Sequence, residues 1–375
     1  MKTKAALMKG VGKDWEIEEI DLGDPIAGEV QVRLAASGLC HSDHHCRTGD
    51  IQGEIFPVLG GHEGAGVITK VGPGVSDLAE GDHVVLAFIP ACGTCRLCAQ
   101  GLQNLCDKGA GLLTGRSIAD GTYRAQWEGR PLMPMCLLGT FAPYVTVHQA
   151  SVVKIEKDIP LEKAALLGCG VSTGWGSAVT IGNTRVGDTV VVVGVGGVGI
   201  NAVQGAAAAG ARYVVAVDPV QFKRDKAIEF GATHAFASLS EAEEAVREIT
   251  WGMMANVTII TIGEVDGEII QPALSITGRA GQVVVTAMGD LQQSQVSMNL
   301  FELTSYQKRV QGAIFGGTGP RTQIPKLIEL YRRGTLKLDE LVTRTYALDE
   351  INQGYDDMLA GRNLRGVIQY TESDY

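Results

Sequence analysis

The 375-residue sequence has no long apolar stretch and no basic tract. No segment approaches the roughly 20 consecutive apolar residues of a membrane-spanning helix, and the N-terminal segment MKTKAALMKG carries positive charge without the apolar run of a secretion signal. Acidic residues outnumber basic ones, 42 to 32, which disfavours a nucleic-acid partner. These absences predict a soluble protein of the reducing cytoplasm that binds neither membrane nor nucleic acid.

The chain does contain enough apolar material for two domains with cores of their own, since 45% of its residues are hydrophobic and 20% are charged. Residues 1 to about 168 hold short β-branched runs bounded by Gly, Pro and Asp, at residues 29–34, 66–71 and 83–88. Such runs indicate short strands joined by turns, and they predict an antiparallel, barrel-like lobe. The sequence shows no internal repeat.

After residue 169, apolar strand patterns alternate with helical patterns. Strands are predicted at residues 188–193, 213–217, 257–262 and 282–286, with helices at 200–209 and 222–230. This alternation predicts an α/β domain built on a doubly wound parallel sheet. A helix at 324–333 and a strand at 365–370 are expected to return to the first lobe. We therefore predict one domain from residues 1–170 and 315–375 and a second from residues 171–314.

Four of the eight cysteines lie in one short segment, residues 92–106. They are Cys92, Cys95, Cys98 and Cys106. This spacing is typical of a structural zinc site, in which four thiolates close the coordination sphere and hold a lobe with little apolar content. A disulfide pair is the alternative, but bridged secreted domains space their cysteines more widely. The segment is therefore predicted to be a structural zinc lobe.

A second set of candidate ligands is spread along the chain. Cys40, His62 and Cys169 make the three-ligand set of a catalytic zinc, whose fourth position is open to water or substrate. Each is weak alone, because a single buried cysteine is more often a core residue and a histidine among glycines is more often structural. Their combination with a four-cysteine segment and a nucleotide motif favours a second zinc. Cys46 and Cys136 fit neither set and are predicted to be ordinary core or loop thiols.

A glycine-rich turn, GVGGVG, follows the strand predicted at 188–193 and opens the next helix. In this context the spacing indicates a dinucleotide-binding turn, whose backbone approaches a pyrophosphate. The candidate contacts are Gly194, Gly196, Gly197, Val198 and Gly199.

The end of the next strand predicts which dinucleotide binds. Asp218 ends that strand, where a carboxylate accepts hydrogen bonds from ribose hydroxyls and repels a 2′-phosphate. NAD is therefore favoured over NADP, although Lys223, a further candidate cofactor contact, and Arg224 lie nearby and could offset part of that repulsion. A simple turn residue before Pro219 is the alternative reading of Asp218.

Together these motifs resemble the zinc-dependent medium-chain alcohol dehydrogenases over essentially the whole chain. The matching segments are GLCHSD around Cys40, GHEGAG around His62, residues 92–106, GCGVSTGWG around Cys169, GVGGVG, and GAIFGG from Gly312. The resemblance implies a GroES-like β-barrel catalytic domain, a Rossmann coenzyme domain, two zinc ions per chain, NAD, and a homo-oligomer, either a dimer or a tetramer. The implied activity is oxidation of small or medium primary alcohols, including aromatic ones, to aldehydes, and the reverse reaction.

Three further segments are similar to the actinobacterial-type nicotinoprotein subgroup of this family. They are MKTKA at the N-terminus, VLGGHE from Val58 and NLFELT from Asn299. Members of that subgroup keep their NAD bound and are assayed with a nitrosoaniline dye as electron acceptor. The resemblance therefore implies an external electron acceptor as a partner.

The resemblance also implies roles for residues near the candidate catalytic zinc. Ser42 would take the alcohol proton and pass it through the nicotinamide ribose to His45, with His44 as a competing candidate in the same loop. Asp43 would orient the histidine ligand, and Glu63 would approach the metal during ligand exchange. The alternative for Ser42 and His45 is an ordinary turn role.

Other residues match family positions at the cofactor and the substrate. His41 stands where many relatives place an arginine on the pyrophosphate, and Arg365 matches an arginine that reaches the pyrophosphate across the interdomain cleft. A surface salt bridge is the alternative for Arg365. Thr173 and Phe315 are expected at the cofactor and Phe88 at the substrate, with plain core packing as the alternative for Phe88 and Thr173.

Two other functions stay open at this point. A thiol-adduct formaldehyde dehydrogenase of the same fold would need a basic pocket for the carboxylates of the adduct, and residues 107–135 offer only Arg116, Arg124 and Arg130 as candidates. A non-catalytic zinc- and nucleotide-binding protein would have no physical need for an open zinc site. The complete ligand set, together with Ser42, argues against that reading.

Overall fold

The structure, a computed structural model, describes residues 1–291 and 293–375. The chain divides into two compact units. Unit one consists of Met1–Cys169, Gly319–Tyr331 and Leu338–Tyr375, and unit two consists of Gly170–Thr318 and Arg332–Lys337. Unit two is therefore inserted into the sequence of unit one.

The strands in chain order are β1 Lys2–Met8, β2 Trp15–Leu22, β3 Glu29–Gly38, β4 Val58–Leu59, β5 Gly64–Val71, β6 His83–Leu86, β7 Ala125–Trp127, β8 Arg130–Pro134, β9 Tyr144–His148, β10 Val152–Ile155, β11 Thr189–Val193, β12 Tyr213–Val217, β13 His234–Phe236, β14 Ala255–Ile260, β15 Thr277–Val285, β16 Arg309–Gly312, β17 Val342–Tyr346 and β18 Arg365–Gln369.

The α-helices are α1 His41–Thr48, α2 Arg96–Ala99, α3 Leu161–Ala164, α4 Gly170–Gly176, α5 Gly199–Ala208, α6 Gln221–Glu229, α7 Leu239–Ile249, α8 Ile270–Ile276, α9 Leu300–Ser305, α10 Pro320–Arg332 and α11 Ile351–Leu359.

Unit one contains a closed barrel with strand order β1-β2-β7-β8-β4 and a larger sheet with order β10-β6-β5-β3-β18-β17, in which β9 also pairs with β3. Strand β3 organises the larger sheet, because it pairs antiparallel with β5 along most of its length, with β9 through residues 29–33 and with β18 through residues 36–38. The predicted antiparallel, barrel-like lobe is confirmed. The C-terminal return is visible in β18, which joins this sheet beside β3.

Aromatic packing in unit one supports the turn that carries His62. Trp15 meets Phe141 edge to face, with ring centroids 5.4 Å apart, and stacks on Tyr355 at 6.0 Å. A Cβ atom at Gly60 would lie 2.4 Å from the Trp15 ring. Glycine is needed there because any side chain would push the turn away from this aromatic cluster.

Unit two is a six-stranded parallel sheet with order β13-β12-β11-β14-β15-β16. Renumbered within the unit this is 3-2-1-4-5-6, the doubly wound Rossmann arrangement. Strand β11 is a run of one threonine and four valines, all buried, as expected for a central strand covered on both faces. The predicted α/β fold class is therefore confirmed.

Within the described residues, no single helix combines the length and apolar composition needed to span a membrane. One bent pair, Leu161–Gly168 with Gly170–Ile181, meets that test when the two are taken together.

Candidate active site

The four cysteines of the 92–106 segment converge in unit one. Two sulfur–sulfur distances, Cys92 to Cys98 and Cys95 to Cys106, are both 3.9 Å. Zinc–sulfur bonds of 2.3 Å in a tetrahedron place the sulfurs about 3.8 Å apart, whereas a disulfide needs about 2.05 Å. All eight cysteines, which lie within the described residues, are free. The donor set and its spacing therefore fit zinc, and the disulfide alternative is excluded.

Backbone amides prepare this segment for thiolates. The N–H groups of Thr94 and Cys95 donate to the Cys92 sulfur at 3.4 and 3.3 Å, and the Cys98 N–H donates to Cys95 at 3.4 Å. Burial acts to raise the pKa of Cys92, but the Thr94 hydroxyl and the N–H groups of Thr94 and Cys95 lower it to about 6. Burial raises the pKa of Cys98 to about 12. Full ionisation of the set therefore requires a bound cation.

A second cluster brings together Cys40, His62, Glu63 and Cys169, all buried, with their ligand atoms within 4.8 Å of one another. Cys40 is the N-cap of α1, directly after β3. His62 and Glu63 lie in the turn between β4 and β5, and Cys169 is the last residue of unit one before the chain enters α4.

The donor chemistry of this cluster fits zinc. His62 Nε2 is buried and has no hydrogen-bond partner in the described part of the chain, as expected for an atom that serves a metal. The hydrogen bond with the neighbouring Cys169 thiol outweighs burial and holds the pKa of Cys40 well below its ordinary value. Two thiolates and one imidazole match a catalytic zinc set.

Asp43 fixes the orientation of His62. Its Oδ1 accepts a hydrogen bond from the Gly61 backbone N–H at 2.8 Å, and its Oδ2 lies 3.1 Å from His62 Nδ1. Gly61 has a φ of +89°, so the turn presents its N–H to the carboxylate. A carboxylate on Nδ1 selects the tautomer in which Nε2 keeps its lone pair for the metal.

Glu63 and Arg365 form a buried ion pair beside the ligands. Arg365 Nη2 donates to Glu63 Oε2 and, at 3.2 Å, to the Leu39 carbonyl. The Arg365 side chain is 3% exposed, so the surface salt-bridge alternative for this residue is not what the structure has. Burial acts to raise the Glu63 pKa, and Arg365 only partly offsets this effect.

Three residues that support this pair were missed by sequence reasoning. A Cβ at Gly38 would lie 2.0 Å from Glu63 Oε2, so the carboxylate fits only against glycine. The hydroxyls of Ser37 and Thr140 both donate to the Glu63 carbonyl, at 2.8 and 3.1 Å. The available signal was the run of small residues at the end of β3, which indicates close approach of another group.

The loop after Cys40 places the candidate proton-transfer residues on α1. Ser42 Oγ lies 3.7 Å from the Cys40 sulfur. The His45 side chain is buried, and its ring centroid is 5.0 Å from that of His41. His44 also contacts the His41 ring, at 5.3 Å, and it stacks on Tyr355 at 6.4 Å. His44 and His45 therefore share His41 as a neighbour, and His44 has Tyr355 as well.

Phe88 lies against the metal cluster. Its ring meets the His62 ring edge to face, with centroids 5.8 Å apart. The Phe88 N–H donates to the carbonyl of Gly168, the residue before the cysteine ligand, at 3.4 Å. In unit one the structure thus brings together the three ligands with Ser42, Asp43, Glu63, Phe88 and Arg365.

In unit two the glycine turn connects β11 to α5. Gly194 has a φ of +83°, and a Cβ at Gly199 would lie 1.9 Å from the Gly194 carbonyl oxygen. These two glycines therefore permit the tight turn and the close start of the helix. Apart from its chain neighbours, a Cβ at Gly196 would have only Lys223 Nζ within 4 Å among the described residues, at 3.9 Å. The turn thus leaves room beside Gly196 and Lys223, which suits a phosphate group.

Asp218 holds the glycine turn in place. Its Oδ2 accepts from the Val195 N–H at 3.1 Å, and its Oδ1 accepts from the Val220 N–H at 2.9 Å. Arg224 donates to the carbonyls of Asp218 and Pro219 at 2.7 and 2.9 Å. The Arg224 guanidinium is therefore bonded to backbone carbonyls, and Lys223 is the cation nearer the glycine turn.

The other cofactor candidates of unit two are Thr173 and Phe315. The Thr173 hydroxyl is buried and has no hydrogen-bond partner in the part of the chain that the structure describes, which suits a ligand contact. The Phe315 ring is fully buried, and the residue has a φ of +51°. A cofactor contact at Phe315 would therefore come from its main chain.

Comparison with known proteins agrees with this geometry. Residues 26–157 match the family described as alcohol dehydrogenase GroES-like domain, and residues 197–333 match the family described as zinc-binding dehydrogenase. Among curated proteins, the chain is 54% identical to alcohol dehydrogenase B of Mycobacterium tuberculosis over 374 residues, covering all of both chains.

Two further likenesses extend over the full length. The chain is 51% identical to the NDMA-dependent alcohol dehydrogenase of Amycolatopsis methanolica over 371 residues, covering 99% of this chain and all of that one. Among solved structures, benzyl alcohol dehydrogenase of Acinetobacter calcoaceticus matches with a TM-score of 0.91 and 30% identity, covering 99% of this chain and all of that one. The chain therefore belongs to the zinc-dependent medium-chain alcohol dehydrogenase family, with a GroES-like domain followed by a Rossmann-type zinc-binding dehydrogenase domain.

Proposed function

We propose that this protein oxidises primary alcohols to aldehydes, and catalyses the reverse reaction, with NAD as hydride acceptor. The observation that carries the proposal is the buried set Cys40, His62 and Cys169, whose donor chemistry leaves one coordination position for an alcohol oxygen. Membership of the alcohol dehydrogenase family supports the same reaction.

Zinc held by these three residues would supply the Lewis acidity that lets an alcohol lose its hydroxyl proton near neutral pH. The chain contributes the geometry. Asp43 keeps the ligand nitrogen of His62 directed at the metal position. Glu63 is a second carboxylate beside the ligands, and Arg365 neutralises its charge. We propose that Glu63 approaches the metal position when ligands exchange.

Ser42 and His45 are proposed to carry the alcohol proton away. Ser42 lies beside ligand Cys40, with 3.7 Å between its Oγ and the cysteine sulfur, so its hydroxyl can accept from a hydroxyl at the metal position. His45 lies one turn further along α1 and offers an imidazole that can accept and release a proton.

NAD is proposed to bind at the carboxyl edge of the unit two sheet, where it would accept the hydride. The glycine turn and the N-terminus of α5 would hold the pyrophosphate, and Asp218 would accept from the adenosine ribose. Further proposed contacts are Lys223, Thr173, Phe315, His41 and Arg365.

We propose further that NAD stays bound and that an external electron acceptor regenerates it. The NDMA-dependent relative, 51% identical over its full length, supports this proposal. We also propose a homo-oligomer, either a dimer or a tetramer, in a reducing compartment such as the cytoplasm, where free thiolate ligands persist.

The substrate class is proposed to include aromatic primary alcohols. Phe88, against the His62 ring, offers an apolar face for such a substrate. The thiol-adduct alternative is disfavoured, because Arg116 pairs with Glu54 and Arg124 pairs with Glu29. Two of its three candidate guanidinium groups are thus already neutralised.

The test is an assay of the purified protein with benzyl alcohol and short primary alcohols, using either a nitrosoaniline dye or added NAD as acceptor. We expect two zinc ions per chain, nucleotide that survives gel filtration, and dye-dependent turnover. Cys169→Ser should abolish turnover, whereas Cys46→Ser, a buried thiol outside the ligand set, should retain it.

Two results would contradict the proposal in different ways. Full turnover by Cys169→Ser would show that the ligand set is not catalytic. Protein that elutes free of nucleotide and reduces added NAD would remove the bound-cofactor proposal and leave an ordinary NAD-exchanging alcohol dehydrogenase.

A further inference from the structure

The end of α1 folds back so that Asp50 meets His45. His45 Nδ1 and Asp50 Oδ2 are 2.9 Å apart, and the two residues are five positions apart in sequence. The His45 side chain is 3% exposed and that of Asp50 is 28% exposed. The contact therefore joins a buried imidazole to a carboxylate that reaches solvent.

The helix C-cap creates this contact. Gly49 adopts the left-handed conformation with a φ of +92°, and the N–H groups of Gly49 and Ile51 both donate to the His45 carbonyl at 3.1 Å. The reversal carries the Asp50 side chain back along the helix. Thr48 Oγ1 donates to Asp50 Oδ2 at 2.6 Å, so the carboxylate is held in place.

The chemistry of the pair fixes one tautomer. A carboxylate only accepts, so His45 Nδ1 must carry the hydrogen, and in the neutral ring Nε2 then holds the lone pair. The Thr48 hydroxyl and then His45 lower the pKa of Asp50, which keeps the carboxylate charged.

We propose that Asp50 is a positioning residue that sets the tautomer and orientation of His45 for proton transfer. The inference rests on the proposed alcohol oxidation. In it, Nε2 of His45 accepts the proton that leaves the alcohol hydroxyl and later releases it to water, so the ring returns to its Nδ1–H form. Asp50 touches neither substrate nor cofactor in this scheme and acts through His45.

The test compares Asp50→Ala, Asp50→Asn and Asp50→Glu in the holoenzyme. Asp14→Asn is the matched control, because the Asp14 carboxylate pairs with Arg47 of the same helix rather than with His45. Nitrogen-15 NMR of histidine-labelled protein reports the His45 tautomer, and His45→Gln identifies its signal among the seven histidines. Steady-state kinetics with benzyl alcohol supply kcat, KM and the pH profile of kcat.

We expect a wild-type His45 signal in the Nδ1–H form. Asp50→Ala should shift it toward Nε2–H, lower kcat roughly tenfold with little change in KM, and displace the pH profile. Asp50→Asn should lower kcat because its amide can donate to Nδ1 and select the wrong tautomer. Asp50→Glu should recover most of the rate, and Asp14→Asn should match the wild type.

An unchanged tautomer in Asp50→Ala, or a changed tautomer with an unchanged pH profile, would overturn the inference. Failure of the proposed function looks different. In that case the wild-type protein would oxidise no alcohol, while the NMR signal would still report whether Asp50 orients His45.

Discussion

At the scale of single residues, the site depends on positions that have no side chain at all. Gly38 ends β3 where the Glu63 carboxylate and the Arg365 guanidinium meet. A Cβ at Gly38 would lie 2.0 Å from Glu63 Oε2 and 3.1 Å from Arg365 Nη2. The pair is fully buried, so neither side chain can move into solvent to make room.

Gly38→Ala should therefore destabilise unit one by about 2 kcal/mol, the usual scale of overpacking plus a disturbed buried ion pair. The urea midpoint of the variant measures this loss. Gly10→Ala is the control, since its Cβ would meet only Lys13 Cγ at 3.8 Å. Equal midpoints for the two variants would show that Glu63 can relocate without cost.

The metal-ligating residues can be predicted from the sequence, but the residues that pack around them cannot. Cysteine and histidine are common metal-binding residue types, so Cys40, His62 and Cys169 could be proposed as ligands from a single sequence. Gly38 acquires its role only from Glu63, 25 positions away, and from Arg365 near the C-terminus. No local pattern encodes such a pairing, because the fold alone brings these segments together.

At the scale of elements, Asp218 links the turn after β11 to the end of β12. Both of its carboxylate oxygens accept backbone N–H groups, one from Val195 in the turn and one from Val220 before α6. A residue that shapes the turn can also face the ribose, since each oxygen has two lone pairs. The two readings of Asp218, turn residue and cofactor ligand, are therefore compatible.

Asp218→Ser should weaken NADH binding about tenfold and improve NADP binding relative to NAD, because the repelling charge is lost while Lys223 stays. Adding Lys223→Ala should remove the gain toward NADP. Fluorescence titration of nucleotide-stripped protein measures both. Arg224→Ala is the comparison, expected to change stability more than selectivity because Arg224 is bonded to backbone carbonyls. Unchanged affinities in Asp218→Ser would reduce Asp218 to a turn residue.

The segment that presents Arg365 is anchored by a buried carboxylate on α11. Asp357 accepts from Tyr346 on β17 at 2.8 Å, from Gln353 at 3.0 Å, and from Arg344 and Arg362 at 2.7 Å. Burial acts to raise the Asp357 pKa, but the bonds from Tyr346 and Arg362 outweigh it and lower the value to about 2. A depressed carboxylate pKa stabilises the folded state above the unfolded value and ceases to do so as pH falls through the folded one.

Asp357→Asn should cost about 2 kcal/mol at neutral pH, through the lost charge-assisted bonds. The difference from wild type should be constant down to about pH 4, the ordinary carboxyl range, and should shrink as pH falls toward 2. Urea unfolding at several pH values measures it. Asp356 is the exposed residue immediately before Asp357 in α11, and Asp356→Asn should show no such pH-dependent difference.

Element prediction succeeded where burial is uniform and failed at edges. Strands β11, β12 and β14 are mostly apolar and buried, and all three were predicted. Strand β13 has three half-buried residues and β16 four exposed ones, so neither carries a hydrophobic signal. Helix α7 was also missed, although Ser238 as N-cap, accepting from the Glu241 N–H at 3.3 Å, is a readable start signal.

At the scale of the whole molecule, the two kinds of chemistry are divided between the units. Both metal clusters lie within unit one, and the glycine turn with Asp218 lies within unit two. Cys169 is the last residue of the first stretch of unit one. The fold class was predictable because each unit has its own strand pattern. The sequence also predicted a C-terminal return to the first lobe, but the boundaries of residues 319–331 and 338–375 depend on long-range packing, which no local pattern encodes.

The two metal clusters differ in exposure and in coordination, and these two properties predict opposite orders of zinc loss. The Cys40 cluster is entirely buried, whereas Cys92 and Cys95 of the other cluster are half-buried. If access alone governed metal loss, the 92–106 segment would release its zinc first. If coordination governs it, the Cys40 cluster would release zinc first, because its open position admits a chelator and four thiolates leave none.

We expect coordination to decide, so mild treatment with 1,10-phenanthroline should remove one zinc per chain and alcohol oxidation while circular dichroism stays unchanged. Cys95→Ser should behave oppositely, lowering the melting temperature by roughly 5 °C or more, because a closed structural site contributes its binding energy to folding. Zinc analysis, activity and thermal melts of the same samples check this order. Loss of fold together with the first zinc would mean that the half-buried thiolate cluster is the labile one, and that burial outweighs coordination in holding metal in this protein.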